Sequence, residues 1–126
     1  MDEAVRFFFR AHLQAMPLYE SFASRLLTEL PATRIKVQSS QISYYYRHLF
    51  ACVSLLKVRR KEMLPPAYIV VTFGLPQRVL SARIEASIEP YPGRWTHHVL
   101  ISDPAEIDDE LMEWLHQAAV FSAQKR

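Results

Sequence analysis

The fold is decided by residues 94–101, RWTHHVLI, in which side chains alternate with the two-residue period of a half-buried β-strand. The more apolar side of this strand carries Trp95, His97, Val99 and Ile101. The opposite side carries Arg94, Thr96, His98 and Leu100. We therefore predict that Trp95 points into a core covered by helices, and that His98 points to the other face of a sheet.

The segments before this strand complete a small sheet. Residues 83–89 (RIEASIE) alternate in the same way and reach residue 94 through the turn Pro90-Tyr91-Pro92-Gly93, so the two strands form a hairpin. Residues 68–73 (YIVVTF) form the most apolar strand, which we place centrally. Three further strand-like stretches occur earlier, around residues 35–37, 42–46 and 50–56. The links are too short for crossover helices, which favours antiparallel neighbours.

Helices are predicted at both ends of the chain. Asp2 caps a first helix that reaches Met16, and Pro17 ends it and begins a second one, which continues to Leu30. Asp103 and Glu106 have the spacing of a capping box before the final helix. The sequence thus predicts a single α+β domain over residues 1–126. It is a twisted antiparallel sheet of about six strands, with two N-terminal helices and one C-terminal helix on one face.

Composition narrows the class of protein. The chain has 126 residues, 50% hydrophobic and 22% charged, with a net charge of +2 and a single cysteine, Cys52. A lone cysteine cannot form an internal disulfide or a multi-thiolate zinc site, and no apolar run is long enough to span a bilayer, so we expect a cytoplasmic protein. The weak charge disfavours nucleic acid as a partner. No phosphate-loop, dinucleotide or metalloprotease motif occurs, and we expect no cofactor and no metal.

Three segments carry a family resemblance. They are Thr72-Phe73-Gly74-Leu75-Pro76, Ser81-Ala82-Arg83-Ile84, and residues 89–98 (EPYPGRWTHH). They resemble a family of small bacterial proteins classed as a domain of unknown function, some larger members of which carry the label "predicted transport protein". The family has no established activity, so the resemblance implies a fold and no catalytic role. This chain departs from the pattern at Arg47-His48-Leu49, where a glycine-containing turn is expected.

The face opposite the helices is the predicted working surface. Its candidate ligand-binding residues are His98, Arg94, Thr96, Arg83, Tyr45, Thr72 and Ser43. Polar and aromatic side chains on a curved sheet suit a small polar or anionic ligand, although a plain solvated face has the same pattern. Arg83 and Arg94 could form a fork for a carboxylate or phosphate, or could be neutralised by Glu85, Glu89 or Asp108.

Adjacent histidines on a strand point to opposite faces, so His97 and His98 cannot bind one metal ion. We expect His97 to be structural, with one ring nitrogen hydrogen-bonded in the core. His98 is a candidate ligand contact or general base. Cys52, inside the apolar run FACVSLL, is expected to be a small buried hydrophobe.

Three functions remain open from the sequence. The first is a ligand-binding or interaction module that uses the open face of the sheet. The second is an enzyme with His98 as general base and Arg94 or Arg83 stabilising negative charge. The third is a homodimer formed through exposed aromatic residues of the first helix, Phe7-Phe8-Phe9.

Overall fold

A six-stranded, fully antiparallel sheet forms the centre of the protein in the computed structural model, which describes residues 2–124. The strands are β1 (Arg34–Val37), β2 (Ile42–Tyr45), β3 (Leu49–Ser54), β4 (Ile69–Leu75), β5 (Ile84–Tyr91) and β6 (Arg94–Ile101). Their order across the sheet is β1-β2-β3-β4-β6-β5, so β4 is central as predicted. Residues 76–83 pass β6 to reach the far edge, where β5 pairs with β6.

Three helices, α1 (Glu3–Phe8), α2 (Met16–Glu29) and α3 (Asp109–Ala123), pack on the sheet and confirm the predicted α+β class. The predicted bounds of the first helix are wrong, because it ends at Phe8 rather than Met16. Phe9 is fully buried and packs against the rings of Phe8, at 4.9 Å, and Tyr19, at 5.4 Å. The chain therefore turns inward at Phe9, and residues 9–12 connect α1 to a short 3₁₀ turn before α2.

The final helix also begins later than predicted. The capping box of Asp103 and Glu106 is present, but it closes only a single 3₁₀ turn, Pro104–Glu106. Asp108 is the N-cap of α3, and its carboxylate accepts a hydrogen bond from the Leu111 N–H at 3.0 Å. Two successive acidic caps therefore occur where the sequence pattern indicates one.

Strand register assigns the two faces of the sheet. Ala51, Phe73 and His97 lie side by side on β3, β4 and β6, facing the helices. The next position along each strand carries Cys52, Thr72 and His98, which face the other way. Trp95 lies on the helix side of β6 with His97, and His98 lies on the opposite side, as predicted. Trp95 is only half-buried, however, and is not part of the hydrophobic core.

Part of the second face is covered by the connection from β3 to β4. Val70 and Leu100 lie on the same side as His98, yet only 0% and 6% of their surface is exposed. Residues 55–68 run across this end of the sheet, and Arg59 forms an ion pair with Glu85 of the edge strand at 2.7 Å. The middle of the face, around Thr72 and His98, remains partly open.

Candidate functional site

The Thr72 hydroxyl and the His98 imidazole form the centre of the open face. Thr72 Oγ1 lies 2.7 Å from His98 Nδ1, across directly paired positions of β4 and β6. No hydrogen bond reaches His98 Nε2 from within residues 2–124, and the ring is half-buried. Desolvation by burial lowers the His98 pKa. The imidazole is therefore neutral near pH 7, held at one nitrogen, and presents the other to the surroundings.

Cys52 extends the Thr72–His98 pair to a third strand. It is paired with Thr72 across β3 and β4, and its side chain is half-buried rather than enclosed in the core. Burial raises the pKa of its thiol, and the Thr72 hydroxyl offsets part of this rise. The expectation that Cys52 is a buried hydrophobe is thus wrong about its position, while the raised pKa keeps the thiol protonated and weakly nucleophilic at neutral pH.

A cavity of about 570 Å³ lies over these three side chains, and we call it the polar cavity. Its rim comes from three separate segments: the α1–α2 connection, the β1–β2 turn and the end of β3. The polar side chains on the rim are Arg10, Ser39, Ser40, Gln41 and Ser54. The cavity is large enough for a small metabolite. Its lining also includes the apolar side chains of Phe8, Ala11, Leu55 and Leu56.

Arg10 is the charged residue in the lining of the polar cavity. Its guanidinium carbon lies 4.0 Å from the centre of the Phe7 ring, and Nη1 donates to the Phe7 carbonyl oxygen at 2.9 Å. Across residues 2–124 no carboxylate forms an ion pair with it. The Arg10 guanidinium thus rests on Phe7 and has no carboxylate partner among the described residues.

A second, smaller cavity of about 200 Å³ adjoins the first, and we call it the β3–β4 slot. The pairing of β3 with β4 runs from Ala51 and Phe73 to Ser54 and Val70. The preceding residue of β3, Phe50, and the following residue of β4, Gly74, are not paired with each other. The slot occupies this separation. Its principal walls are Phe50, Phe73, Gly74, Thr96, Ala118 and Phe121, and it shares Cys52 and Thr72 with the polar cavity.

The predicted site residues do not all meet. Thr72 and His98 lie together in the polar cavity, and Thr96 lines the neighbouring slot. Ser43 lies next to Cys52 but is fully buried, with its hydroxyl bonded to Gln38 at 2.7 Å and Gln41 at 2.8 Å.

The other two open-face candidates lie apart from the polar cavity. Tyr45 lines a separate hollow, where the Arg34 guanidinium carbon lies 5.7 Å from its ring centre. Arg94 is exposed at the start of β6, four positions before His98, or roughly 13 Å along the strand.

Arg83 lies away from the open face, at the N-terminus of α3. Its guanidinium bonds both carboxylate oxygens of Asp108, at 2.8 and 3.0 Å, and Glu110 at 3.1 Å. It also lies 5.7 Å from the Trp114 ring centre. Arg83 and Arg94 do not form a fork, because Ile84 is paired with Val99, far along β6 from Arg94. The protein's own carboxylates satisfy Arg83, which was the alternative that the sequence left open.

His97 has the structural surroundings expected of it. It is fully buried, its ring stacks on Phe73 at 5.2 Å, and Phe73 in turn stacks on Trp114 at 5.6 Å. Its Nε2 accepts a hydrogen bond from the Val79 N–H at 2.9 Å. Burial lowers the His97 pKa, so the ring is neutral in the folded protein.

Sequence reasoning missed Arg10, Gln41 and Cys52 as members of the site. The alternation of Ala51, Cys52, Val53 and Ser54 does put Cys52 on the same face as the polar Ser54, which is a usable signal. The sequence gives no such signal for Arg10, because its helical periodicity predicts a first helix that continues to Met16, whereas α1 ends at Phe8.

Comparison with known proteins gives a family and nothing further. The family model described as "Domain of unknown function (DUF5655)" matches residues 5–122. No curated protein and no solved structure matches the chain. In the described part of the chain, no helix is both long and apolar enough to cross a membrane. Nor do residues 2–124 contain a group of three His, Cys, Asp or Glu side chains suited to a metal ion.

Proposed function

The chain belongs to the DUF5655 family, whose domain is of unknown function, and we propose that it binds a small anionic ligand in the polar cavity, over Thr72 and His98. The observation that carries the proposal is that His98 and Arg10 line the same cavity. The His98 imidazole is neutral and bonded to Thr72 through one nitrogen, and the Arg10 guanidinium has no carboxylate partner among the described residues. A carboxylate or phosphate oxygen would accept hydrogen bonds from both groups, and charge-assisted bonds of this kind are the strong ones.

The hydrogen-bond pattern favours an acceptor as the ligand. Thr72 has one hydroxyl proton, and the imidazole Nδ1 is a stronger acceptor than the neutral thiol of Cys52. When Thr72 donates to Nδ1, the His98 proton resides on Nε2, the nitrogen that is not bonded to Thr72. His98 then acts as a donor toward the ligand, as Arg10 does from the rim.

The polar rim gives further support. Ser39, Ser40 and Gln41 from the β1–β2 turn add hydroxyl and amide groups near the proposed anion. Gln41 is already fixed, since its amide donates to Ser43 at 2.8 Å. A partly preformed set of donors reduces the entropy lost on binding.

Titration of the His98 ring by NMR tests the proposal, with acetate and inorganic phosphate as probes. In the free protein the His98 pKa should be below about 6.5, and a bound anion should raise it because the charged imidazolium gains a partner. Arg10→Gln should weaken binding about tenfold, as expected for loss of a charge-assisted hydrogen bond. Arg94→Gln is the matched control, because Arg94 is exposed and lines neither cavity.

Two outcomes would overturn the proposal. One is the absence of any chemical-shift change at His98 and Thr72 with either anion. The other is equal weakening by Arg10→Gln and Arg94→Gln, which would reduce the effect to general electrostatic attraction rather than a site at the polar cavity.

A further inference from the structure

We infer that the ligand is amphipathic: a small anion that carries one compact apolar group, with the apolar group held in the β3–β4 slot. This inference rests on the proposed function for the anionic group of the ligand, and it adds the chemical class of the rest of the ligand. The juxtaposition behind it is two adjoining cavities that share Cys52 and Thr72 as walls, one with Arg10 and His98 in its lining and the other with no charged or imidazole side chain.

The slot is apolar where a ligand would touch it. Phe50 and Phe73 are 4% and 1% exposed and form its walls together with Ala118 and Phe121 of α3. Its polar side chains are largely engaged, since the Ser122 hydroxyl donates to the His48 carbonyl at 3.2 Å and Thr72 bonds His98. Such walls favour a hydrocarbon group over a second polar one.

Gly74 lines the slot, and neither its backbone conformation nor its packing requires a glycine at this position. Positive φ occurs in residues 2–124 only at Gly93, so the backbone at Gly74 accepts any ordinary residue. A Cβ built on Gly74 would meet just one atom within 4 Å, the Trp95 carbonyl oxygen at 3.9 Å, which is normal contact distance. The missing side chain therefore leaves space in the cavity that neither packing nor conformation requires.

The volume limits the apolar group. Apolar protein cavities of roughly 150 Å³ stay dry and accept benzene, and the slot measures about 200 Å³. A single ring or a short branched chain fits, whereas a long fatty-acyl chain does not. Cys52 and Thr72 line both cavities, so a link between the anionic group and the apolar group would run alongside these two side chains and would be short.

The experiment compares acetate, 3-methylbutanoate and benzoate by calorimetry and NMR on the intact chain, with benzene as a probe that lacks the anionic end. The apolar group should tighten binding about ten- to a hundredfold over acetate, as expected for burying a small hydrocarbon group. Gly74→Val should remove that gain and leave acetate binding as it is. Ala82→Val is the control, since Ala82 is exposed, precedes β5 and lines neither cavity.

The outcomes separate this inference from the proposed function. If acetate binds at His98 and benzoate binds no more tightly than acetate, the amphipathic ligand is wrong and the anion site stands. The same conclusion follows if Gly74→Val binds benzoate as much more tightly than acetate as the wild type does. If benzene shifts the Phe73 amide signal in the wild type but not in Gly74→Val, while no anion perturbs His98, the slot binds hydrocarbon. In that case both the anion site and the amphipathic ligand are wrong.

Discussion

The backbone N–H of Val79 donates to Nε2 of His97 at 2.9 Å, and this bond joins the segment that crosses from β4 to β5 to the buried side of β6. The bond requires an unprotonated Nε2. Within residues 2–124 the second ring nitrogen, Nδ1, has no hydrogen-bond partner at normal geometry. His97 is therefore a buried acceptor that positions a loop, on the face of the sheet opposite to the polar cavity.

His97→Phe should lower the free energy of unfolding by about 1–3 kcal/mol, because the half-buried Val79 N–H loses its acceptor while the aromatic stack on Phe73 is kept. Urea denaturation measures the change. His98→Gln, on the open face, should change the stability by less than about 1 kcal/mol. Equal losses in both variants would contradict the role given to His97.

Stability should fall as the pH drops below about 6.5. Burial lowers the pKa of both His97 and His98, so the unfolded chain takes up protons at a higher pH than the folded one. The stabilisation is complete above the unfolded value and is lost as the pH falls toward the folded pKa values, by up to about 1.4 kcal/mol per pH unit for each proton. Glu29, Glu85 and Asp108, whose pKa values are lowered, add a separate loss only below about pH 4.5.

Urea denaturation at pH 7.5, 6.5 and 5.5 checks this dependence. His97→Phe should have a shallower slope than the wild type in that interval, because one of the two titrating groups is gone. The opposite result would be a free energy of unfolding that increases as the pH is lowered from 7.5 to 5.5. It would mean that the histidine pKa values are higher in the folded protein than in the unfolded chain, which contradicts the effect of burial.

Arg83→Met should destabilise the protein by about 1–2 kcal/mol and leave anion binding unchanged. The substitution leaves Asp108 and Glu110 without their shared partner, and removes the cation above Trp114. Arg94→Met should alter the free energy of unfolding by less than about 0.5 kcal/mol, since Arg94 is exposed. Loss of acetate or phosphate binding in Arg83→Met would indicate that the anion binds near Arg83 and not in the polar cavity.

Gly74→Ala should raise the free energy of unfolding by about 0.5–1 kcal/mol, because alanine has less conformational freedom to lose in the strand and fits without contact strain. Gly93→Ala gives the matched comparison. Gly93 has φ of 74° in the β5–β6 turn, so alanine there should cost about 1–2 kcal/mol. Thermal or urea unfolding of the two variants should shift in opposite directions.

The centre of the sheet was predictable because β4 and β6 follow simple burial patterns. Alternation around Trp95 and His98 gave the correct direction of both side chains, and the apolar run ending at Phe73 gave the central strand. These features depend on burial, which local sequence pattern records well.

The site was only partly predictable, because its members come from segments far apart in the chain. Thr72 and His98 were found, since strand direction alone puts both on the open face. Arg10 reaches the polar cavity only because α1 stops at Phe8, a consequence of how Phe9 packs against Tyr19. Such tertiary packing overrides helical periodicity and leaves no local pattern to read.

The insertion of β6 between β4 and β5 sets the order in which the chain can complete its fold. While a ribosome is still making residues 76–93, the edge of β4 that faces β6 has no partner, although β4 is the most apolar strand. Unpaired apolar strand edges attract other chains. The nascent protein is therefore most prone to aggregate during this interval of synthesis, and emergence of the last strand from the exit tunnel ends that exposure.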